Sequence, residues 1–204
     1  MMITRLEPMD KSKFKVYLED EFAFLLYDKD LKHYQLEEGV QLSKACYEDI
    51  MEHVIYRRAK QKALAILKHM DRTEYELKGK LSDAWYPTCV ITRVMEYLRE
   101  YHYLDDERFA ALYLKSRKES KSKLVILSEL KNKGIKKELL ETLILTEYQE
   151  VEADPEEIAI KKAIAKKTRN ISGLSREERQ KLCAYLYRKG FGMDKIKHYL
   201  KDIE

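Results

Sequence analysis

A pattern that recurs three times constrains this chain of 204 residues more than any other feature. When Leu81, Leu130 and Leu186 are aligned, Trp85, Gly134 and Gly190 fall four residues later, Tyr86, Ile135 and Phe191 five later, and Ile91, Leu140 and Ile196 ten later. The pattern describes a helix, a tight turn followed at once by a bulky apolar residue, and a second helix with an aliphatic anchor. The intervals are 49 and 56 residues, and each aligned pair has a further helical stretch before it. The unit is therefore a three-helix module, placed at 57–104, 105–153 and 154–204, with a longer loop around Asn170-Ile171-Ser172-Gly173 in the last. A module this small buries little alone, so neighbouring modules should share core contacts in an elongated, curved array.

Capping chemistry agrees with a helical chain. Thr73 with Glu76, and Ser175 with Glu178, read as capping boxes, and Asp154-Pro155-Glu156-Glu157 places a capping Asp before a first-turn proline and two carboxylates. Gly134, Gly173 and Gly190 suit the left-handed residue that follows a helix end. Trp85 occupies that place in the first module, where a side chain disfavours the left-handed conformation, so a different turn closed by Pro87 is expected there. Six glycines and three prolines in the whole chain leave few tight turns for a sheet-rich fold.

The first 56 residues differ. Lys13 to Leu18 and Glu21 to Tyr27 alternate like strands around a turn at Glu19-Asp20, and Ile3 to Glu7 is a candidate third strand. Such a ribbon is marginal alone and must pack on helices. A short helix is expected over Asp28 to Leu36, ending near Gly39, and a long helical run from Ser43 through Leu67. The whole is read as an all-α array of three tandem three-helix repeats with a small N-terminal antiparallel β ribbon.

Charge is unevenly distributed. Residues 1–56 carry a net −5 and residues 57–204 a net +9, and residues 115–137 alone carry +7. A positive field of that density suits a polyanion or an acidic protein surface, although the same lysines would serve a solvated helical face. The candidate partner-binding residues are Arg117, Lys118, Lys121 and Lys123 at the first loop of repeat two, with Lys131, Lys133, Lys136 and Lys137 beside them and Arg188 and Lys189 at equivalent positions of repeat three. Asp105, Asp106 and Arg108 read as helix-start and packing residues.

Other classes find little support. The histidines His33, His53, His69, His102 and His198 form no HxxxH pair and read as exposed. No phosphate-binding glycine loop occurs, so neither an enzyme nor a cofactor is expected. Cys46 and Cys89 lie among apolar neighbours and read as buried thiols, and Cys46, Cys89 and Cys183 are too far apart in sequence for a disulfide framework or a CxxC site. A reducing cytoplasm fits, with no membrane span or signal peptide. Tyr97, Tyr101 and Tyr113 recur at helical spacing and read as core. Helix-turn-helix-like units with many lysines also fit a module that binds DNA weakly and without sequence preference, because lysine neutralises phosphate without reading bases.

The run Leu104-Asp105-Asp106-Glu107-Arg108-Phe109-Ala110, with Glu129-Leu130-Lys131-Asn132-Lys133-Gly134-Ile135 downstream, resembles the signature of the RecX family, modulators of the bacterial recombinase RecA. Arg58-Ala59-Lys60 and Glu76-Leu77-Lys78 resemble the family's first repeat, and Arg188-Lys189-Gly190-Phe191 its third. Two departures stand out: members usually carry glycine where Trp85 stands, and another near Ser120 to Ser122. The resemblance implies a non-enzymatic regulator that binds along the groove of the RecA filament on single-stranded DNA, and a monomer is expected. Such a regulator would limit filament growth, ATP hydrolysis, strand exchange and repressor cleavage in recombinational repair and the SOS response.

Overall fold

The computed structural model describes residues 1–149 and 154–200, in two compact units, 1–105 and 106–204. Unit 1 opens with an antiparallel sheet of three strands in sequence order, β1 (Ile3–Pro8), β2 (Lys13–Leu18) and β3 (Glu21–Tyr27). Glu19 and Asp20 take φ of 52° and 70°, the paired left-handed conformation that matches the twist of a two-residue hairpin. In the other hairpin the Asp10 carboxylate accepts from the amides of Ser12 (2.8 Å) and Lys13 (2.9 Å). Ile3, Val16, Leu18, Phe24 and Leu26 turn one sheet face into the core. The ribbon is thus covered by helices, as its size demands.

α1 (Asp28–Tyr34) ends on Gln35 at φ 53°. α2 (Lys44–Asp49), capped by Ser43 Oγ accepting from the Cys46 amide (3.1 Å), runs through a π-helical stretch, Ile50–Tyr56, into α3 (Arg57–His69). The wider turns keep one face inward: Ile50, Val54 and Ile55, then Ala59 and Ala63, are all buried. α4 (Glu74–Ser82) and α5 (Thr88–Glu100) complete the layer, and their Leu77, Leu81, Val94, Met95 and Leu98 join the ribbon residues in a single cluster. The Thr73/Glu76 capping box forms as expected, with bonds of 3.2 and 3.3 Å.

Unit 2 contains α6 (Asp106–Arg117), α7 (Lys123–Asn132), α8 (Lys137–Gln149), α9 (Pro155–Ala165), α10 (Arg176–Arg188) and α11 (Met193–Leu200). One buried cluster joins Leu114, Ile126, Leu130, Ile135 and Leu140, and a second joins Ile160, Ile164, Leu182, Leu186, Phe191 and Ile196. The aligned leucines Leu81, Leu130 and Leu186 are each fully buried. The anchors Ile91, Leu140 and Ile196 are buried too.

The turn after each aligned leucine corrects the expectation for the first module. Ala84 and Tyr86 both donate to Leu81 O (3.2 Å each), and Trp85 donates to Ser82 O (2.8 Å). Lys133, Ile135 and Gly134 donate likewise to Leu130 and Lys131, and Lys189, Phe191 and Gly190 to Leu186 and Tyr187. Trp85 takes φ 64°, against 83° and 81° for Gly134 and Gly190. All three modules therefore share one turn, and Trp85 bears a left-handed cost of roughly 1–2 kcal/mol that glycine avoids. Its ring meets Phe22 edge-on at 5.6 Å and lies 4.7 Å from Lys15 Nζ, which offsets part of that cost.

Three smaller expectations are also corrected. Gly173 does not take positive φ; its amide donates to Asn170 Oδ1 (3.3 Å), so a side chain rather than the left-handed residue closes that loop. Cys89 is exposed at the start of α5, and Tyr101, the residue after α5, is 58% exposed, because the helix turns both away from its apolar stripe. Tyr97 and Tyr113 do pack against core clusters.

Candidate functional site

The basic residues of unit 2 divide by what they touch. Lys118 pairs with Glu147 (2.8 Å) and keeps only 14% side-chain exposure. Lys121 pairs with Glu129, which also accepts from the Tyr113 hydroxyl (2.9 Å). Burial would raise the Glu129 carboxyl, but the bonds from Lys121 and Tyr113 outweigh it and hold the group below the usual carboxylate range. Lys133 lies 5.5 Å from the Phe109 ring centre, and Lys123 lies 5.3 Å from that of Tyr148. These four side chains are engaged within the unit.

The others face solvent. Arg117 is exposed at the last turn of α6, its guanidinium 5.7 Å from the Tyr113 ring, and Lys131 is exposed on the last turn of α7. Lys136 and Lys137 stand exposed at the N-terminal end of α8, where the helix dipole disfavours cations; Lys137 makes only a surface pair with Glu141 (3.5 Å). Arg188 and Lys189 end α10, both exposed.

Backbone contacts bring the two repeats' basic turns together. Ser122 is fully buried and caps α7, accepting from the Val125 amide (3.4 Å) while its hydroxyl donates to Lys189 O (2.8 Å). A Cβ on Gly190 would stand 2.7 Å from Ser122 Oγ and 2.9 Å from Val125 Cγ2, so the contact demands glycine for space as well as for φ. On the other side, the Lys123 amide donates to Glu156 Oε1 (3.0 Å), and Glu156 Oε2 binds Lys195 Nζ (2.9 Å), which also pairs with Asp154. Burial opposes charge on both Asp154 and Lys195, yet their mutual hydrogen bond lowers the one pKa and raises the other. The same two carboxylates, with burial as the larger cause, push the Tyr148 phenol up to about 12. The Lys121–Lys123 loop is thus fixed against Arg188 and Lys189, although these segments lie 67 residues apart in sequence.

Ser122, Glu156 and Lys195 were not among the residues singled out by charge. Ser122 had a local signal, a serine directly before a helical run, whereas nothing in the sequence shows Glu156 reaching back to α7. No group of three or more His, Cys, Asp or Glu side chains among the described residues could hold a metal ion, and no helix among them is long and apolar enough to cross a membrane.

Models of the first, second and third three-helix domains of RecX match residues 59–98, 105–143 and 156–200. A regulatory protein RecX of Clostridium acetobutylicum is 30% identical, over 98% of this chain and 95% of its own. The chain belongs to the RecX family. A second RecX relative, from Caldanaerobacter subterraneus subsp. tengcongensis, is 28% identical over 98% of each chain. A crystal structure of regulatory protein RecX covers 98% of both chains with a TM-score of 0.63 and 23% identity, which shows that the RecX fold is shared. The RecX relatives are named as regulatory proteins rather than as enzymes.

Proposed function

We propose that this RecX-family chain is a non-enzymatic cytoplasmic regulator that binds the RecA filament on single-stranded DNA. It restrains filament extension, ATP hydrolysis, strand exchange and repressor cleavage, and so modulates recombinational repair and the SOS response. Its working units are the three-helix modules 57–104, 105–153 and 154–204, with residues 1–56 as the ribbon and its linking helices. The observation that carries this reading is the lock from Ser122 to Lys189, which holds the basic loop of repeat two against the basic helix end of repeat three. Such a surface suits acidic patches of a filament or the phosphates it encloses. The lysines at the start of α8 favour an anionic partner further, since an anion there gains from both the cations and the helix dipole.

The exposed cations, rather than Lys118 and Lys121, are the ones to reverse. Replacing Lys121 by Glu would set it against Glu129 and disturb the fold. The triple variant Arg117→Glu, Lys131→Glu, Lys136→Glu should keep its helical circular dichroism and bind RecA filaments at least roughly tenfold more weakly, with the largest loss at low salt. Undiminished filament binding by that folded variant would remove these cations from the contact surface.

A further inference from the structure

Unit 1 carries a basic trough that shares no residue with the cations of unit 2 discussed above. Two adjoining cavities, about 380 and 530 Å³, share Lys62, Lys80 and Asp83 in their walls. Lys13, Arg58 and Trp85 line the first, and Arg72 and His69 line the second. Among the described residues, Asp83 is the only acidic one lining either cavity. Arg58 is already satisfied by both carboxylate oxygens of Asp30, at 2.6 and 2.8 Å. Lys62 and Lys80, by contrast, are exposed where the two cavities meet.

Trp85 distinguishes the trough from a plain cluster of cations. The residue is held at φ 64°, a conformation that costs a side chain and costs glycine nothing, yet it is only partly covered in return: the tryptophan remains 43% exposed. Lys15 and Phe22 hold the ring in place. A large, fixed and exposed indole beside a line of cations matches the two requirements of single-stranded nucleic acid, a stacking platform for a base and a positive groove for its backbone. An acidic peptide would use the cations alone and leave the exposed part of the indole without a role. Two adjoining cavities fit a strand better than a single nucleotide.

We propose that this trough binds a segment of single-stranded nucleic acid, with a base stacked on Trp85 and phosphates held by Lys13, Lys62 and Lys80. The assignment concerns unit 1 alone and needs no RecA, so it stands or falls separately from the filament-binding surface of unit 2.

Trp85 is the only tryptophan in the chain, so its emission reports the site directly. Titrating the full-length protein with a short oligothymidylate should quench that emission saturably, and Lys62→Glu with Lys80→Glu should weaken the binding about tenfold or more. Trp85→Gly suits the left-handed turn and should fold like the parent, while binding a labelled oligothymidylate roughly fivefold or more weakly. Absence of saturable quenching, or quenching that survives the double lysine reversal, would overturn the proposal. So would competition by an oligoglutamate peptide at the same concentration as the oligonucleotide, which would make the trough a docking site for acidic protein. Equal binding of thymidine monophosphate would reduce it to a mononucleotide pocket and overturn the strand assignment.

Discussion

Replacing Gly190 with alanine should remove much of the stability of unit 2. The residue sits at φ 81°, where a Cβ costs roughly 1–2 kcal/mol. The new methyl would also press on Ser122 Oγ at 2.7 Å and Val125 Cγ2 at 2.9 Å, a degree of overpacking worth roughly 1–3 kcal/mol. Ser122 cannot yield without losing either its cap on α7 or its bond to Lys189 O, so the two costs accumulate to about 2–5 kcal/mol. Gly39 is the control: it shares the positive φ, at 82°, but a Cβ there meets nothing within 4 Å, and Gly39→Ala should cost only the backbone part. Urea unfolding followed by far-ultraviolet circular dichroism separates the two. Equal losses in both variants would contradict the close contact at Gly190.

The second large effect is expected at Asp30. Its side chain is 11% exposed, accepts two guanidinium bonds from Arg58 and takes the Tyr27 amide (2.8 Å), while Arg58 also stacks 4.7 Å from the Tyr27 ring. Asp30→Ala strands a guanidinium with 24% exposure, and the loss should be about 3 kcal/mol, the low end for breaking a buried pair because water still reaches Arg58. Asp30→Ala combined with Arg58→Met should recover part of it. The acid limb of stability follows from the same group. Burial alone would raise the Asp30 carboxyl, but Arg58 and the Tyr27 amide outweigh it and hold the group below its ordinary value. Its contribution is therefore complete above the unfolded-state value near 4 and is lost as pH falls through the lower folded value. Asp30→Asn should flatten the fall in stability below about pH 4; an unchanged acid limb would show that other carboxylates govern it.

Local and periodic features were legible in the sequence. The buried leucines, the anchors ten residues on and the caps at Thr73, Asp154 and Ser175 all follow from spacing and from chemistry within four residues. Trp85 was misread because propensity assigns the left-handed residue to glycine, whereas Phe22 and Lys15, far away in sequence, supply the packing that allows a tryptophan there. Linear charge density likewise overstated the free cations of residues 115–137. Glu147 reaches Lys118 from 29 residues away, and Glu129, although counted, is taken up by Lys121. The lock through Ser122, Glu156 and Lys195 depends on tertiary contacts that no local pattern encodes.

The most direct test of the proposed regulatory role is ATP hydrolysis by purified RecA on single-stranded DNA. The chain is added substoichiometrically to preformed filaments, and the assay is repeated in a large excess of non-homologous double-stranded DNA. Inhibition that persists in excess DNA is the expected result, because the target is the protein filament. Inhibition relieved by the added DNA, or none at all, would contradict the proposal and leave a helical module that competes for DNA.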